Sequence, residues 1–176
     1  MKKIILSVAA IFAFGVASAQ DDSAMTFGVK AGLNNSNFTG DWDTDAKMGF
    51  YVGGFADFAI GENFHIQPEV LYSMEGADDD AGVSYLKVPV MFKYYLVESF
   101  NLQAGPYLGF KAGTEEDAMD EAVKSMDFGL GIGAAYELPI GLFFDARYNL
   151  GLQNISEIDG QDAKNTVIQV GLGYRF

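Results

Sequence analysis

This chain of 176 residues is poor in cysteine, histidine and basic residues, and each shortage excludes a class of protein. The absence of cysteine rules out disulfide bonds and a lipid anchor on a new N-terminal cysteine. Basic residues number 11 against 24 acidic ones, so the chain should avoid nucleic acid and bare anionic surfaces. Beyond residue 20 there is no apolar run of the length that a membrane-spanning helix needs. A membrane protein with this sequence would therefore have to be a closed β-barrel.

The first twenty residues have the three parts of a secretory signal peptide. Two lysines near the start precede an apolar run over residues 4–16, and small residues precede a cleavage site after Ala19 or Gln20. We expect a signal peptide over residues 1–20 and one barrel domain over residues 21–176. Without the two leader lysines, nine basic residues remain against 24 acidic ones, so the mature chain carries a net charge of −15.

After Val167, the last nine residues alternate strictly between apolar side chains and polar residues or glycine. The apolar positions are Ile168, Val170, Leu172, Tyr174 and Phe176. A period of two places all five on one face of a β-strand. We interpret this run as the closing strand of a β-barrel. Its terminal aromatic residues, Tyr174 and Phe176, are then expected to serve as a signal for the barrel-assembly machinery during insertion.

Seven further segments share this alternation. Together with the terminal run they cover residues 25–34, 48–59, 63–74, 83–96, 100–111, 126–137, 142–153 and 167–176. Each contains 10–14 residues, about the length that a tilted strand needs to cross the hydrocarbon layer. Eight is an even number, as in single-chain barrels of bacterial outer membranes. The predicted fold is all-β, an eight-stranded antiparallel up-and-down transmembrane β-barrel.

The predicted connections alternate between short turns and long acidic loops. Residues 60–62, 97–99 and 139–141 form the short turns, whereas the other four connections contain fifteen carboxylates. In an up-and-down barrel every second connection lies at the same end, so one rim is acidic, as in barrels with short periplasmic turns and long outer loops. The carboxylates of this acidic rim are Asp41, Asp43, Asp45, Glu75, Asp78, Asp79, Asp80, Glu115, Glu116, Asp117, Asp120, Glu121, Glu157, Asp159 and Asp162.

Alternation alone leaves open which face is the interior, because a soluble lipocalin-like barrel has its apolar face inside. Three features favour the membrane barrel. The polar face is rich in glycine, which suits a narrow lumen, its charges nearly balance, and the apolar face continues to the last residue. Aromatic side chains also gather towards both ends of the apolar face, as at two membrane interfaces. The predicted ionic cluster of the lumen consists of Lys30, Asp57, Glu69, Lys87, Lys93, Lys111, Asp127, Glu137, Asp145, Arg147 and Arg175.

Two groups of residues fit the alternation badly. Pro68, Pro89 and Pro106 lie in mid-strand, where each removes a hydrogen-bond donor from the sheet, so we expect local bulges there. Several large side chains fall on the lumen face, where they would act as fillers. These are Tyr51, Phe55, Leu71, Tyr85, Pro89, Met91, Tyr107 and Phe143.

The mature chain resembles the small outer-membrane β-barrel proteins of the PorT-like, porin-family group, which include eight-stranded barrels like OmpX. The resemblance covers the whole mature chain and is carried by residues 28–34, 67–73, 85–90, 103–109, 145–152 and 171–176. It implies an outer-membrane barrel in a Gram-negative cell envelope. It is far less specific about activity, although a few members serve protein secretion or gliding machinery. Likeness of fold does not transfer function.

We predict no catalysis and no cofactor. The only histidine, His65, lies beside a short turn, and Ser73 and Ser84 have no base next to them in the sequence. Asp41, Asp43 and Asp45 have the spacing of half a calcium loop, but the glycine and the late glutamate of an EF-hand are missing, so a metal there is a weak hypothesis. A solvated, repulsive rim is the simpler interpretation of these acidic runs.

The ionic cluster of the lumen allows two interpretations. It lines a narrow water path, or it forms a plug of ion pairs, which the near-neutral balance and the filled interior of eight-stranded barrels favour. We therefore expect a monomer in outer-membrane lipid with a structural or surface-interaction role. A narrow porin-like channel for small solutes and a component of a secretion or gliding apparatus are the alternatives. The sequence does not identify an extracellular partner.

Overall fold

Eight antiparallel strands form a closed barrel in a computed structural model that describes residues 25–40, 46–77, 81–114, 124–156 and 162–176. Each strand pairs with its neighbours in sequence, and the last pairs with the first. The strands are β1 (Met25–Gly40), β2 (Lys47–Ala59), β3 (Phe64–Ala77), β4 (Ala81–Val97), β5 (Phe100–Thr114), β6 (Met126–Glu137), β7 (Leu142–Gly151) and β8 (Ala163–Arg175). The predicted fold class is confirmed. No helix in these described ranges has the length and hydropathy to cross a bilayer.

Successive side chains point alternately to the outer wall and to the lumen. In β7, Phe143 and Asp145 are buried, whereas Phe144 between them is exposed. The exposed side chains of the outer wall are mainly apolar, and those of the lumen include most of the buried charges. The interior is therefore polar, which excludes the soluble lipocalin-like alternative.

Short turns join the strands at one end of the barrel, which we call the turn end. Residues 60–63, 98–99 and 138–141 make these connections. Gly141 has a φ of 85°, a conformation that favours glycine, and its N–H donates to the Leu138 carbonyl at 3.0 Å. At the same end the N–H of Phe176 donates to the Phe27 carbonyl at 2.9 Å, so the last residue is hydrogen-bonded to β1 where β1 and β8 close the barrel.

Several strands are longer than predicted at the opposite end, which we call the loop end. The prediction for β1 stopped at Asn34, but the strand continues to Gly40, and its alternation of burial is unbroken while the outward residues become polar. Beyond that point Asn35 and Thr39 face outwards, while Phe38 is buried in the lumen. The apolar band therefore ends near this level, and the strand extends beyond it with a polar outer face.

The connection between β3 and β4 was wrongly predicted as a long loop. β3 continues to Ala77 and β4 begins at Ala81, so only residues 78–80 separate them. The acidic and glycine-containing composition of this region indicated a loop, but the pairing of the two strands continues to their ends.

A small apolar cluster fills the lumen at the loop end. Its members are fully buried and come from strands on several sides of the barrel and from the segment after β7. They are Phe38, Val83, Tyr85, Ile155 and Ala163. Because the strands reach past the apolar band of the outer wall, this cluster forms an apolar layer above the polar lumen.

The large lumen side chains fit because glycines lie opposite them. A Cβ on Gly171 would lie 2.1 Å from the Tyr51 hydroxyl oxygen, and one on Gly173 would lie 2.3 Å from Phe143 Cζ. Such distances are far below van der Waals contact, so both positions need a residue without a side chain. The eight predicted fillers are all buried.

The bulges predicted at the three prolines are absent from the described strands. The register is the same on both sides of Pro68, Pro89 and Pro106, and the shifts lie instead at Ser84/Tyr85 and Tyr95/Val97. Each proline keeps a paired residue on one neighbouring strand and has none on the other. In an antiparallel ladder a residue donates its N–H to one neighbour only, so a proline interrupts one side without shifting the register.

Candidate functional site

The middle of the lumen contains two crossed ion pairs, which we call the middle layer. Arg147 on β7 reaches Glu69 on β3 with two hydrogen bonds, Nη1 to Oε2 at 2.9 Å and Nη2 to Oε1 at 2.8 Å. Lys30 on β1 donates to Asp145 Oδ2 at 2.7 Å and lies 3.9 Å from Glu69 Oε2. Arg147 also donates to Gln103 Oε1 at 2.9 Å. Two cations and two carboxylates thus balance, and all four are buried.

A second balanced group, the turn-end layer, lies towards the short turns. Lys93 donates to Asp57 Oδ2 at 2.9 Å and to Glu137 Oε1 at 3.0 Å. Arg175 donates to the same two oxygens at 3.3 and 2.9 Å. Tyr95 and Asn101 supply further donors to Glu137 Oε1, at 2.6 and 3.1 Å. This layer ties β8 to β2, β4 and β6 through charged hydrogen bonds.

The only histidine belongs to the turn-end layer. His65 Nδ1 is hydrogen-bonded to Asp57 Oδ1, and its ring lies 4.6 Å from that of Tyr95. Both rings border an open cavity of about 420 Å³ at the turn end. Of the two serines considered in the sequence, Ser73 lies in a different layer and bonds to Asn34 and Glu75, and Ser84 accepts from the exposed Tyr72 hydroxyl. His65 therefore forms no nucleophile–base pair with either serine.

The third group, the loop-end layer, contains a carboxylate that the sequence prediction placed in the acidic rim. Glu75 is 1% exposed, and Lys87 Nζ lies 2.7 Å from its carboxylate. Ser73 and Asn165 also donate to Glu75, at 2.7 and 2.6 Å. The assignment to the rim was wrong because β3 continues past residue 74, and residue 75 then faces the lumen. Asp127 completes this layer and accepts from the Tyr107 hydroxyl at 3.1 Å.

Two sets of predicted residues lie elsewhere. Lys111 is half-buried near the loop end, where its backbone N–H donates to the Ser125 carbonyl at 2.9 Å. Asp41, Asp43 and Asp45 lie outside the described residues. Among the described residues no group of three or more histidine, aspartate or glutamate side chains could hold a metal ion.

The sequence analysis did not identify the neutral side chains that form hydrogen bonds in the lumen. They supply donors and acceptors in all three layers. These residues are Asn34, Tyr51, Gln67, Ser73, Tyr95, Asn101, Gln103, Tyr107 and Asn165. Their inward positions in the alternating pattern could have identified them, because a filled lumen has to satisfy its buried charges with hydrogen bonds.

The outer wall carries aromatic side chains near both ends. At the turn end the rings of Phe64 and Phe92 stack with centroids 6.2 Å apart, and Tyr174 contacts Phe176 edge-to-face at 5.7 Å. Towards the loop end Phe50 and Tyr72 lie 6.4 Å apart. Between these girdles the wall is aliphatic, as expected of a surface in contact with lipid.

Solved structures of small membrane barrels share this fold. Neisserial surface protein A is 14% identical, with a TM-score of 0.62 over 85% of this chain and 97% of that protein. Ail, the attachment invasion locus protein of Yersinia pestis, is 17% identical, with a TM-score of 0.54 over 86% of this chain and 98% of Ail. These identities show a common fold alone. No curated protein has a significantly similar sequence.

The sequence also matches a family profile over most of its length. The family is the outer membrane protein β-barrel domain, and the match covers residues 18–157, which end before β8. Together with the closed barrel and its apolar outer wall, this match gives the location of the protein. The chain belongs to the outer membrane protein β-barrel domain family and lies in an outer membrane.

Proposed function

We propose that this protein is a monomeric barrel with a structural or surface-interaction role, which presents its acidic loops outside the cell and does not conduct solutes. The observation that carries the proposal is the ion pair between Arg147 and Glu69. These residues are 2% and 1% exposed and join β7 to β3 across the lumen. The apolar cluster around Phe38 adds a second obstruction at the loop end.

The two balanced layers support a plug. In each of them two cations bond to two carboxylates at distances of 2.7–3.3 Å. A water path would leave more of these groups exposed, and an eight-stranded barrel has an interior just wide enough for side chains. The name of Ail describes attachment and invasion, a surface role on the same fold. That likeness supports the proposed surface role for this chain.

Conductance measurements test the closed lumen. The mature protein is refolded in detergent, checked for a heat-modifiable band on electrophoresis and reconstituted into planar bilayers. We expect no steady conductance steps from the folded protein. Reproducible single-channel steps would support the alternative of a narrow porin-like channel for small solutes and would contradict the proposed plug.

Two further parts of the proposal have their own tests. We infer that a signal peptide over residues 1–20 directs export in a Gram-negative cell, and N-terminal sequencing of the membrane protein should begin at Gln20 or Asp21.

The resemblance to PorT-like proteins suggests a secretion or gliding apparatus as another role, which stable co-purification with other envelope proteins would support. We also expect no hydrolysis of lipid or peptide substrates by the purified barrel.

A further inference from the structure

Several buried oxygen atoms of the described residues have no hydrogen-bond partner, and three of them lie in the loop-end half of the lumen on β4, β6 and β8. They are Asp127 Oδ1, Asn165 Oδ1 and the hydroxyl oxygen of Tyr85. All three residues are 0% exposed. A carboxylate oxygen and an amide oxygen can only accept, so what they lack is a donor or a cation. An unsatisfied group of this kind is costly in a protein interior.

These residues surround one region of the lumen. A Cβ on Gly109 would lie 3.5 Å from Tyr85 Cδ1 and 3.6 Å from Asp127 Cβ, so the two side chains lie side by side at this level of the lumen. A Cβ on Gly151 would lie 3.4 Å from Asp127 Oδ1 and 3.0 Å from the backbone nitrogen of Asn165. The unpartnered carboxylate oxygen thus lies close to β8 at Asn165, on a side chain that also neighbours Tyr85.

The amide of Asn165 has a defined orientation. Its Nδ2 donates to Glu75 Oε2 at 2.6 Å, which places Oδ1 on the other side of the amide. Exchanging the two atoms would bring the amide oxygen against a carboxylate oxygen, an unfavourable contact. The free acceptor is therefore a property of the site and does not depend on how the amide is assigned.

The loop-end layer also has one negative charge in excess. Lys87 pairs with Glu75, and no ammonium or guanidinium group of the described residues forms an ion pair with Asp127 within 4.0 Å. Loop residues 41–45, 78–80, 115–123 and 157–161 contain no lysine or arginine that could supply one. The hydrogen bond from Tyr107 to Asp127 adds no charge. A buried carboxylate without a counterion is strongly unfavourable.

We propose that the loop-end layer binds one monovalent metal cation, Na⁺ or K⁺, through Asp127 Oδ1, Asn165 Oδ1, the Tyr85 hydroxyl and water. A single positive charge neutralises the excess carboxylate. Ligands that are all oxygen suit hard cations. Calcium would bring a second positive charge, which the one free carboxylate oxygen of this site would leave unbalanced. The site would fix β4, β6 and β8 together next to the apolar cluster, to which the ring of Tyr85 belongs.

Equilibrium unfolding in urea tests the site on the whole mature protein in detergent micelles. Sodium chloride is replaced stepwise by choline chloride at constant ionic strength, so that general screening of the acidic chain does not change. One cation bound by the folded state alone makes the unfolding constant fall about tenfold for each tenfold rise in sodium above the dissociation constant. The same series with potassium chloride shows which ion is preferred.

Two variants identify the ligands. In Asp127→Asn the sodium dependence should disappear, whereas Glu98→Gln, which removes an exposed carboxylate at the turn end, should keep it. If Asp127→Asn does not fold, Tyr85→Phe removes one neutral ligand, and the sodium concentration of half-maximal effect should rise several-fold. An unfolding constant that is the same in sodium and choline would overturn the proposal. A sodium dependence that survives in Asp127→Asn would overturn it as well. Neither outcome bears on the conductance test of the plug.

Discussion

The ion pair between Arg147 and Glu69 gives the sharpest prediction about stability. Arg147→Met removes both hydrogen bonds to Glu69, at 2.8 and 2.9 Å, and leaves a carboxylate that is 1% exposed. Lys30 is 3.9 Å from Glu69 and already bonds to Asp145 at 2.7 Å, so it compensates poorly. Breaking a buried pair from one side costs about 3–5 kcal/mol, and we expect Arg147→Met to lower the free energy of unfolding by that amount.

Removing both charges should cost less than removing one. In the double variant Glu69→Met/Arg147→Met no buried carboxylate is left alone, and flexible methionine side chains fill much of the vacated space. Gln103 then loses the partner it has at 2.9 Å, which costs about 1 kcal/mol. We therefore expect a large favourable coupling in a double-mutant cycle.

Urea unfolding in detergent micelles, followed by circular dichroism and by the heat-modifiable band, measures these differences. A cost below about 1 kcal/mol for Arg147→Met would refute the reasoning, because Glu69 would then have to be hydrated. The same conclusion would follow if the double variant were less stable than Arg147→Met. Either result would favour a water-filled lumen over a plug.

Three further predictions concern the wall and its assembly. Gly53→Ala should strongly reduce folding yield because a Cβ there would lie 2.0 Å from the Val70 carbonyl oxygen, whereas Gly113→Ala, which meets nothing within 4 Å, should fold normally. Leu130→Arg on the exposed wall should destabilise the barrel in lipid by about 2–4 kcal/mol, and Asn35→Arg beyond the apolar band by about 0–1 kcal/mol, measured by unfolding from vesicles. Phe176→Ala should slow assembly in cells, seen as a smaller heat-modifiable fraction in the outer membrane, while detergent refolding stays unchanged.

Much of the fold could be predicted because one physical constraint repeats along the chain. A strand with lipid on one side and a packed lumen on the other alternates with period two, and β6 and β7 show this pattern through most of their length. The same parity identified the inward positions of residues such as Lys30 and Arg147. The rule that apolar residues face outwards fails where the strand leaves the apolar band. Beyond Asn34, β1 has a polar outer face and carries Phe38 inside.

The partners within the lumen could not be predicted. The two-residue alternation predicts that Arg147 faces inwards. The stagger between strands determines that it contacts Glu69 on β3, 78 positions away in the sequence. Glu75 shows the same limit in another form. It lies close to a run of three aspartates and was grouped with them, although the length of β3 turns it towards Lys87. Long-range register carries this information, and local composition does not.

The most direct test of the whole account is the accessibility of spin labels along the wall of the reconstituted protein. The chain has no cysteine, so single substitutions such as Leu130→Cys and Asn35→Cys can be labelled without further changes. The account predicts that a label at position 130 is reached by oxygen dissolved in lipid and shielded from a water-soluble nickel complex, with the opposite ranking at position 35. A label at position 130 that the nickel complex reaches as readily as at position 35 would contradict it, because the apolar wall would then face water.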